Sequence, residues 1–554
     1  MRIDNNGKSY IPVFLSDMLF FLLLGYCVAP LELIRFCFIT LWFYHRQRAT
    51  AALQLKRITF QRTRLKQLEQ IKPLTTQLNP MRIIILLLIA IGPFTNCLSQ
   101  KTIKKARLIE DFDFAVETLR LRHQGCYNYV NKKETDIEIA SLRNSIGEPL
   151  TKLEFYQIIR KLVGLMNEGH GSVSLPRWTM IKAGLSKSFL PLGVRFFNKE
   201  LIITQNFGDN VEGLSKGAKL VSINGESISE ILKKLLPLIA TDGFIRTSKY
   251  EWIGGVNFSL LYSLVYGKSK EFELEIIDPL QKQTKLIRIP AIRFTKFKSK
   301  NAQFEPKYFS HYKYHFELIN DSIAYLSIPK FRKDAIDYQQ FYENSFKAID
   351  SLGIKHLIID IQRNGGGEEG NENLLFSYLM EERIQKYKRV TMLPPAYEKN
   401  KNDRSFQLDK WILKDTIAER GVFTCYSDYF SDLGYALPKK DYIYKNKLYV
   451  LISGYTFSGG AEFASMIKMT NRGLFIGEET GGAFEGNVSG YSETVKLPNT
   501  KIKINIPTVH FQINVSLKNR GRGIVPDFHV PQTWEDYMGN KNTKLEFTKE
   551  LIMN

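Results

Sequence analysis

Cysteine is scarce in this chain, five in 554 residues, at positions 27, 37, 97, 126 and 425. No Cys-x-x-Cys and no Cys/His ligand spacing occurs, so a structural zinc site is not expected. Only Cys126 and Cys425 lie in the body of the chain; a lone buried thiol is the ordinary reading of each, a single disulfide between them the alternative. The glycine run at 365–367 is not followed by Lys-Ser/Thr and has no Gly-x-Gly-x-x-Gly spacing, which excludes a phosphate loop. The formal charge of +21 would fit nucleic acid if the lysines formed a stripe beside stacking aromatics. They are instead scattered among Lys-Tyr and Lys-Phe pairs, so no nucleic-acid partner is expected, and the basic surface suits anionic lipid or an acidic polymer.

What is present is ordinary for a folded protein: 44% apolar and 24% charged residues. The length exceeds one core and implies two to four domains. Residues 81–99 run Met81-Arg82, an apolar stretch from Ile83 to Ile91, then Gly92-Pro93 and Cys97-Leu98-Ser99. A short basic start, a brief apolar run and small residues near a cleavage point define a secretory signal peptide, which predicts a mature chain beginning near Gln100. The apolar run is shorter than the roughly 20 residues of a membrane span. Residues 1–80 are then an extension with two readings. They form a membrane anchor, although Glu32 and Arg35 interrupt the apolar stretch, or they precede the true start at Met81.

Apolar residues at helical steps predict a helical cap domain over 100–180: Phe112, Ala115, Val116 and Leu119, then Phe155, Ile158, Ile159 and Leu162. Short strands are expected at 193–197 and 201–205. The run Gly213 to Gly225 holds a glycine turn, a strand and an Asn-Gly hairpin turn, and the helix Ile228 to Leu236 follows. This order resembles part of a PDZ domain, so 181–300 is taken as a PDZ-like module. Residues 301–535 alternate strands and helices, which argues for an α/β layer with parallel strands. Within it a helix is expected over 371–387, and 388–445 reads as a polar surface insertion covering the site. Residues 536–554 are taken as a C-terminal tail.

Two strand–turn–helix junctions carry the chemistry. Asp360-Ile361-Gln362-Arg363-Asn364-Gly365-Gly366-Gly367 follows an apolar strand, and its glycines let the backbone approach an anion. Gly454-Tyr455-Thr456-Phe457-Ser458-Gly459-Gly460-Ala461-Glu462 sets Ser458 at a helix start, where dipole and free amides favour negative charge. By itself Ser458 reads as a plain N-cap. Taken together, the first segment resembles the D-L-R-x-N-x-G-G loop of the tail-specific, or carboxyl-terminal processing, serine peptidases, and the second their T-x-S-A-A/S-E turn. Gly477-Glu478-Glu479-Thr480-Gly481-Gly482 resembles the following G-x-x-T-x-G, and Gly523-Ile524-Val525-Pro526-Asp527 the terminal G-V-x-P-D.

That resemblance implies a multidomain α/β protein with a ClpP/crotonase-like catalytic core and no cofactor or metal. It implies that Ser458 attacks a peptide carbonyl while amides of Gly366 and Gly459 hold the oxyanion. The lysine of the Ser-Lys branch is replaced by Ala483. The other branch, resembling the tricorn core protease, uses a histidine from the cap, and Asn167-Glu168-Gly169-His170-Gly171-Ser172 resembles that segment. His170 is therefore the expected general base. The glutamate that orients it in that branch is replaced here by Arg520, leaving Glu462, Glu478, Glu479 and Glu168 as candidates. The expectation is an exported, cell-envelope serine peptidase acting on peptides or unfolded protein, with membrane association only through the N-terminal segment. The alternatives are a silent ligand- or peptide-binding protein on the same fold and a non-peptidase serine esterase.

Overall fold

Helical periodicity at the start of the body is realised as α1 (Lys105–Arg122), α2 (Lys132–Asn144) and α3 (Lys152–Gly164). This is a computed structural model, and it describes residues 102–554 apart from 148, 210, 298–312, 333–335, 401, 403–410, 418–421, 428–433 and 517–519. The extension 1–80 and the signal-like segment 81–99 lie outside the described residues. Helix α3 opens with a capping box, the Thr151 hydroxyl accepting from Glu154 N while the Glu154 carboxylate accepts from Thr151 N. The helices bury Leu108, Phe112, Ala115, Leu119, Phe155, Ile159 and Leu162, and the same core takes in Leu497, Ile502, Ile504 and Ile506 from far along the chain. The buried carboxylate of Asp111 fixes that contact by accepting from Asn499 N, Thr500 N and the Thr500 hydroxyl, each at 2.6–2.7 Å. The N-terminal helices therefore share one core with a C-terminal hairpin. Cys126 is a buried free thiol, donating to Leu119 O at 3.2 Å.

After β1 (Ser172–Ser174) come β2 (Leu192–Phe197), β3 (Glu200–Asn206), β4 (Lys219–Ile223), α4 (Ile228–Leu235), α5 (Thr247–Ile253), α6 (Asn257–Tyr266), β5 (Glu271–Ile277) and β6 (Thr284–Pro290). The strands form an antiparallel sheet in the order β6-β5-β4-β3-β2. Ser227 caps α4 by accepting from Glu230 N. Ile228, Ile231 and Leu235 turn onto the sheet with Leu220, Leu274 and Ile276.

The C-terminal region contains β7 (His315–Asn320), β8 (Ile323–Ser327), α7 (Tyr338–Ser351), β9 (His356–Asp360), α8 (Asn371–Ser377), β10 (Tyr387–Met392), β11 (Trp411–Ile417), β12 (Val422–Ser427), β13 (Lys447–Ile452), α9 (Gly459–Met469), β14 (Leu474–Gly477), β15 (Gly486–Ser489), β16 (Glu493–Lys496), β17 (Lys503–Ile506), β18 (Val509–Ile513), β19 (Phe528–His529) and α10 (Thr543–Met553). A sheet of order β7-β8-β9-β13-β14-β19 is parallel from β8 onward. Its inner strands are apolar on both faces because both are covered. Leu357, Ile359, Val450 and Ile452 pack beneath α7 and α9, and Ile358, Tyr449 and Leu451 face α10. Residues 536–554 are thus not a loose tail: Leu545, Phe547 and Leu551 of α10 close the second face of the sheet.

Two other expectations fail here. The helix expected over 371–387 stops at Ser377, whose hydroxyl turns back onto Leu374 O at 2.6 Å. The chain then straightens because Lys386 is drawn into a buried carboxylate cluster. The stretch 388–445 is also more than a surface cover. Strand β10 pairs with β18 in a sheet of order β11-β12-β10-β18-β15, and it buries Val390 and Met392 against Val509 and Phe511. Charged Lys388 and Arg389 mask that strand in sequence. No helix among the described residues is long and apolar enough to cross a membrane.

Candidate active site

Ser458 follows β13 on a sharp turn and carries φ 53°, ψ −129°. A side chain on that backbone is strained, and such strain collects where geometry matters more than stability. Ser458 occupies the N-cap position of α9, yet its side chain caps nothing. Its Oγ instead lies 3.1 Å from His170 Nε2. The N-cap explanation therefore fails at the hydroxyl.

The turn is held from below. The Thr456 hydroxyl donates to Ile361 O at 2.9 Å, and the Ser453 hydroxyl to Gln362 O at 2.6 Å. Gly481 N and Gly482 N both donate to Thr456 O, at 2.9 and 3.1 Å. Ile524 N donates to the Thr480 hydroxyl at 2.8 Å. The four segments singled out in the sequence are thus one hydrogen-bonded unit. Asp360 and Asp527 are structural within it. Asp360 is buried and accepts from the Tyr325 hydroxyl, and Asp527 accepts from Phe475 N.

The glycine loop lies against Ser458. A Cβ on Gly366 (φ 94°) would come 2.6 Å from Ser458 Cβ and 2.9 Å from Gly459 N. The Gly366 amide, expected as an oxyanion donor, is already committed: it donates to Asn364 Oδ1 at 2.9 Å. Asn364 is fully buried and also donates from Nδ2 to Ile328 O at 3.0 Å. The next residue along is fixed by a bridge between Gly367 and Phe331. A Cβ on Gly459 would lie 3.8 Å from Gly367 N, so the Gly367 and Gly459 amides are neighbours beside Ser458.

His170 arrives on the turn before β1. That strand pairs with β17, Ser172 opposite Asn505 and Val173 opposite Ile504, which ties the N-terminal helices to the catalytic half. The Phe457 ring packs on the imidazole with centroids 4.7 Å apart. His170 Nδ1 lies 2.9 Å from Glu168 Oε1. Glu168 is buried, and its Oε2 accepts from Val488 N at 2.7 Å. Burial lowers the His170 pKa, opposed by the Asp242 and Glu462 charges, and burial pushes Glu168 up to about 7.

None of Glu462, Glu478 and Glu479 occupies this position. Glu478 pairs with Lys544, and Glu479 holds the Arg522 guanidinium and Gly523 N. Glu462 points away from His170 into a buried cluster. Lys386, wholly buried, reaches Glu462 at 2.6 Å and Glu372 at 2.7 Å. The Tyr387 hydroxyl donates to Glu462 Oε2 at 2.5 Å and Asn487 Nδ2 to its Oε1 at 2.9 Å. Burial opposes the Lys386 charge, but Glu372, Glu462 and Glu369 outweigh it and raise its pKa. Sequence reading missed Lys386 and Asp242, neither of which sits in a motif. Ala483 is buried, Lys468 pairs with Asp527, and Lys496 lies on β16; among the described residues no lysine is seen to stand in for the missing one.

Residues 322–530 match the family described as peptidase family S41. That stretch, 209 of the 554 residues, carries the peptidase domain described by that family. It is accordingly a serine-type peptidase. No curated protein matches it in sequence. Among solved structures, this chain is similar to mature CPAF complexed with lactacystin, with TM-score 0.54 and 14% identity over 81% of this chain and 97% of that one. It also matches the photosystem II D1 C-terminal processing protease, with TM-score 0.35 and 14% identity over 76% of this chain and 93% of that one. The tricorn protease matches with TM-score 0.32 and 15% identity over 81% of this chain and 36% of that one. The CPAF likeness bears on the fold alone.

Proposed function

We propose that this S41 peptidase cleaves peptide bonds through a Ser458 acyl-enzyme, with His170 as general base and Glu168 as the acid that orients it. The observation carrying this reading is the continuous line Glu168 Oε1–His170 Nδ1, 2.9 Å, and His170 Nε2–Ser458 Oγ, 3.1 Å. Both contacts are within the reach that proton transfer needs. Ser458 Oγ attacks the scissile carbonyl carbon as its proton passes to His170 Nε2, and the carbonyl oxygen becomes an oxyanion. Glu168 stabilises the imidazolium through the Nδ1 proton. The imidazolium returns the proton from Nε2 to the leaving amine, and water, activated by the same nitrogen, hydrolyses the ester.

The oxyanion donors in this reading are the amides of Gly459 and Gly367, because the Gly366 amide already serves Asn364. The N-terminus of α9 adds its dipole to the same spot. The antiparallel module 181–300 would present the carboxyl end of a peptide in PDZ fashion, a role supported by the order of its turn, strand, Asn-Gly hairpin and α4. The basic-then-apolar segment 81–99 supports action outside the cytoplasm.

The test is a fluorophosphonate label followed by peptide mapping. Adduct at Ser458 that disappears in His170→Ala supports the reading; a wild-type protein left unlabelled at Ser458 removes it. A matched panel of peptides and simple esters then separates peptidase from esterase.

A further inference from the structure

Asp242 sits behind the His170–Glu168 pair on a segment that no motif marks. It is fully buried. Its Oδ1 accepts from Gly169 N at 2.8 Å and its Oδ2 from Ala483 N at 3.3 Å. The residues around it reinforce both contacts, with Gly243 N donating to Asn167 O at 2.9 Å and Phe244 N to Gly521 O at 2.8 Å. The turn carrying His170 is therefore pinned on both sides by 242–243. Ala483 holds the place of the lysine used in the other branch, and here its backbone serves the acid behind the histidine.

The Asp242 carboxyl group also comes close to that of Glu168. An oxygen of each and a ring nitrogen of His170 all lie within 4.8 Å of one another. Two carboxylates offer only acceptors, so a bond between them requires a proton. Two unshielded negative charges in a buried site are also too costly to hold apart from such a proton. The geometry points to Asp242 as a positioning residue: it shares one proton with Glu168, so that the pair behind His170 carries a single negative charge and fixes the imidazole turn. The inference rests on the Ser458–His170 reading above.

The groups facing the pair are few. Tyr129 acts on both acids and Glu485 on Asp242, Arg520 acts in turn on Tyr129 and Glu485, His170 acts on Asp242 from its own turn, and His123 and Glu462 act on His170. Among the described residues no lysine or arginine is seen to act directly on either acid, so the shared proton is what makes two acids tenable there.

The experiment compares wild type with Asp242→Asn and Asp242→Ala. Asparagine keeps an oxygen for Gly169 N and offers an N–H to Glu168 in place of the shared proton. The expected result for Asp242→Asn is kcat within about fivefold of wild type at neutral pH. Wild type should show a break on the alkaline side as the shared proton leaves, and Asp242→Asn should lack it. Asp242→Ala should lose on the order of a hundredfold in kcat with KM little changed, the loss expected when a reacting group shifts by about 1 Å. Infrared difference spectra should show a protonated-carboxyl C=O stretch in wild type that both variants lack.

The spectroscopic measurement does not depend on turnover, so it stands even where the Ser458 reading fails, and the fluorophosphonate label reports that failure separately. Alkaline profiles of wild type and Asp242→Asn that superimpose, absence of the protonated-carboxyl band, or wild-type kcat in Asp242→Ala overturns the inference. Should Asp242→Ala not fold, Asp242→Asn and the infrared band still decide it.

Discussion

Phe457 lies against His170 with ring centroids 4.7 Å apart, so the residue before Ser458 holds the imidazole that faces its hydroxyl. Gly169 makes room for this contact, since a Cβ there would come 2.7 Å from Phe457 Cζ. The Ser458 turn and the His170 turn, 288 residues apart in sequence, thus determine each other's position through an aromatic face. The His170 side chain retains 18% exposure, enough for substrate to approach while its other face is packed.

The strain at Ser458 gives a first prediction. Ser458→Ala keeps the Cβ on a φ of 53° and should abolish hydrolysis while moving the thermal midpoint by only about a degree or two. Ser458→Gly relieves roughly 1–3 kcal/mol of backbone strain at a cost of about 0.5–1 kcal/mol in unfolded-chain entropy. It should therefore be inactive and about 1 kcal/mol more stable than Ser458→Ala. Denaturant melts of both variants decide the matter; equal midpoints would mean that the turn is unstrained.

The identity of the orienting acid gives the second. Glu168→Gln removes the charge behind Nδ1 and confronts Val488 N with an amide that must also satisfy His170. Turnover should fall by roughly 10²–10⁴, by analogy with loss of the triad acid elsewhere. Glu478→Gln, whose carboxylate pairs with Lys544, should stay within about twofold of wild type. The reverse ranking in steady-state kcat would return the role to the later glutamates.

How far the sequence reached follows from what kind of information each feature needs. The parallel strands around β9 and β13 were legible because strands buried on both faces are continuous apolar runs. Ser458 and the glycine loop were legible because close backbone approach permits few residue types. The partner of His170 was not, because Glu168 lies two residues away in a turn and any of several carboxylates could have folded over it. Asp242 contributes through backbone amides at Gly169 and Ala483, and such contacts leave no residue-type signature on the donor side. The Gly366 amide could not be ruled out as a donor until Asn364 was seen to occupy it. The insertion misread as cover has Lys388 and Arg389 beside its buried Val390, so its polarity hid a central strand.

Lys386 supplies a stability prediction. It is the cation among Glu369, Glu372 and Glu462, whose carboxylate oxygens lie within 4.8 Å of one another. Lys386→Met leaves buried negative charge uncompensated and should cost about 3–5 kcal/mol in urea unfolding at neutral pH. The sign of its pH dependence is fixed. Burial already raises the Glu369 pKa well above its ordinary value, with Glu462 and Glu372 adding to the effect and Lys386 opposing it, so loss of the ammonium raises Glu369 further and removes what holds Glu462 down. A carboxyl with a folded pKa above its unfolded one loses stability as pH rises between the two. The deficit of Lys386→Met should therefore shrink as pH falls toward about 5. A deficit that grows in acid would show that the cluster is not held by charge.

The pH profile tests the base itself. A general base works unprotonated, and its orienting acid works ionised. Burial lowers His170 from its ordinary 6.5, so the neutral form is already favoured. Burial pushes Glu168 up to about 7, so this acid is protonated on the acid side. The two titrate as a coupled group, and kcat/KM should rise along one acid limb that is complete just above the Glu168 value of about 7, then level off until the alkaline break discussed above. His170→Ala should lower turnover on the order of a thousandfold or more. His170→Gln should do nearly the same, because shape without a titrating nitrogen cannot take the proton, and its residual rate should lack the limb. A lysine base would move the limb well above pH 8 unless its pKa were strongly depressed, and no lysine among the described residues contacts Ser458. Turnover against pH on one acyl substrate, for wild type and both variants, is the measurement. Wild-type rates in either variant, or a limb above pH 8, would remove His170 from the mechanism and leave Ser458 without its base.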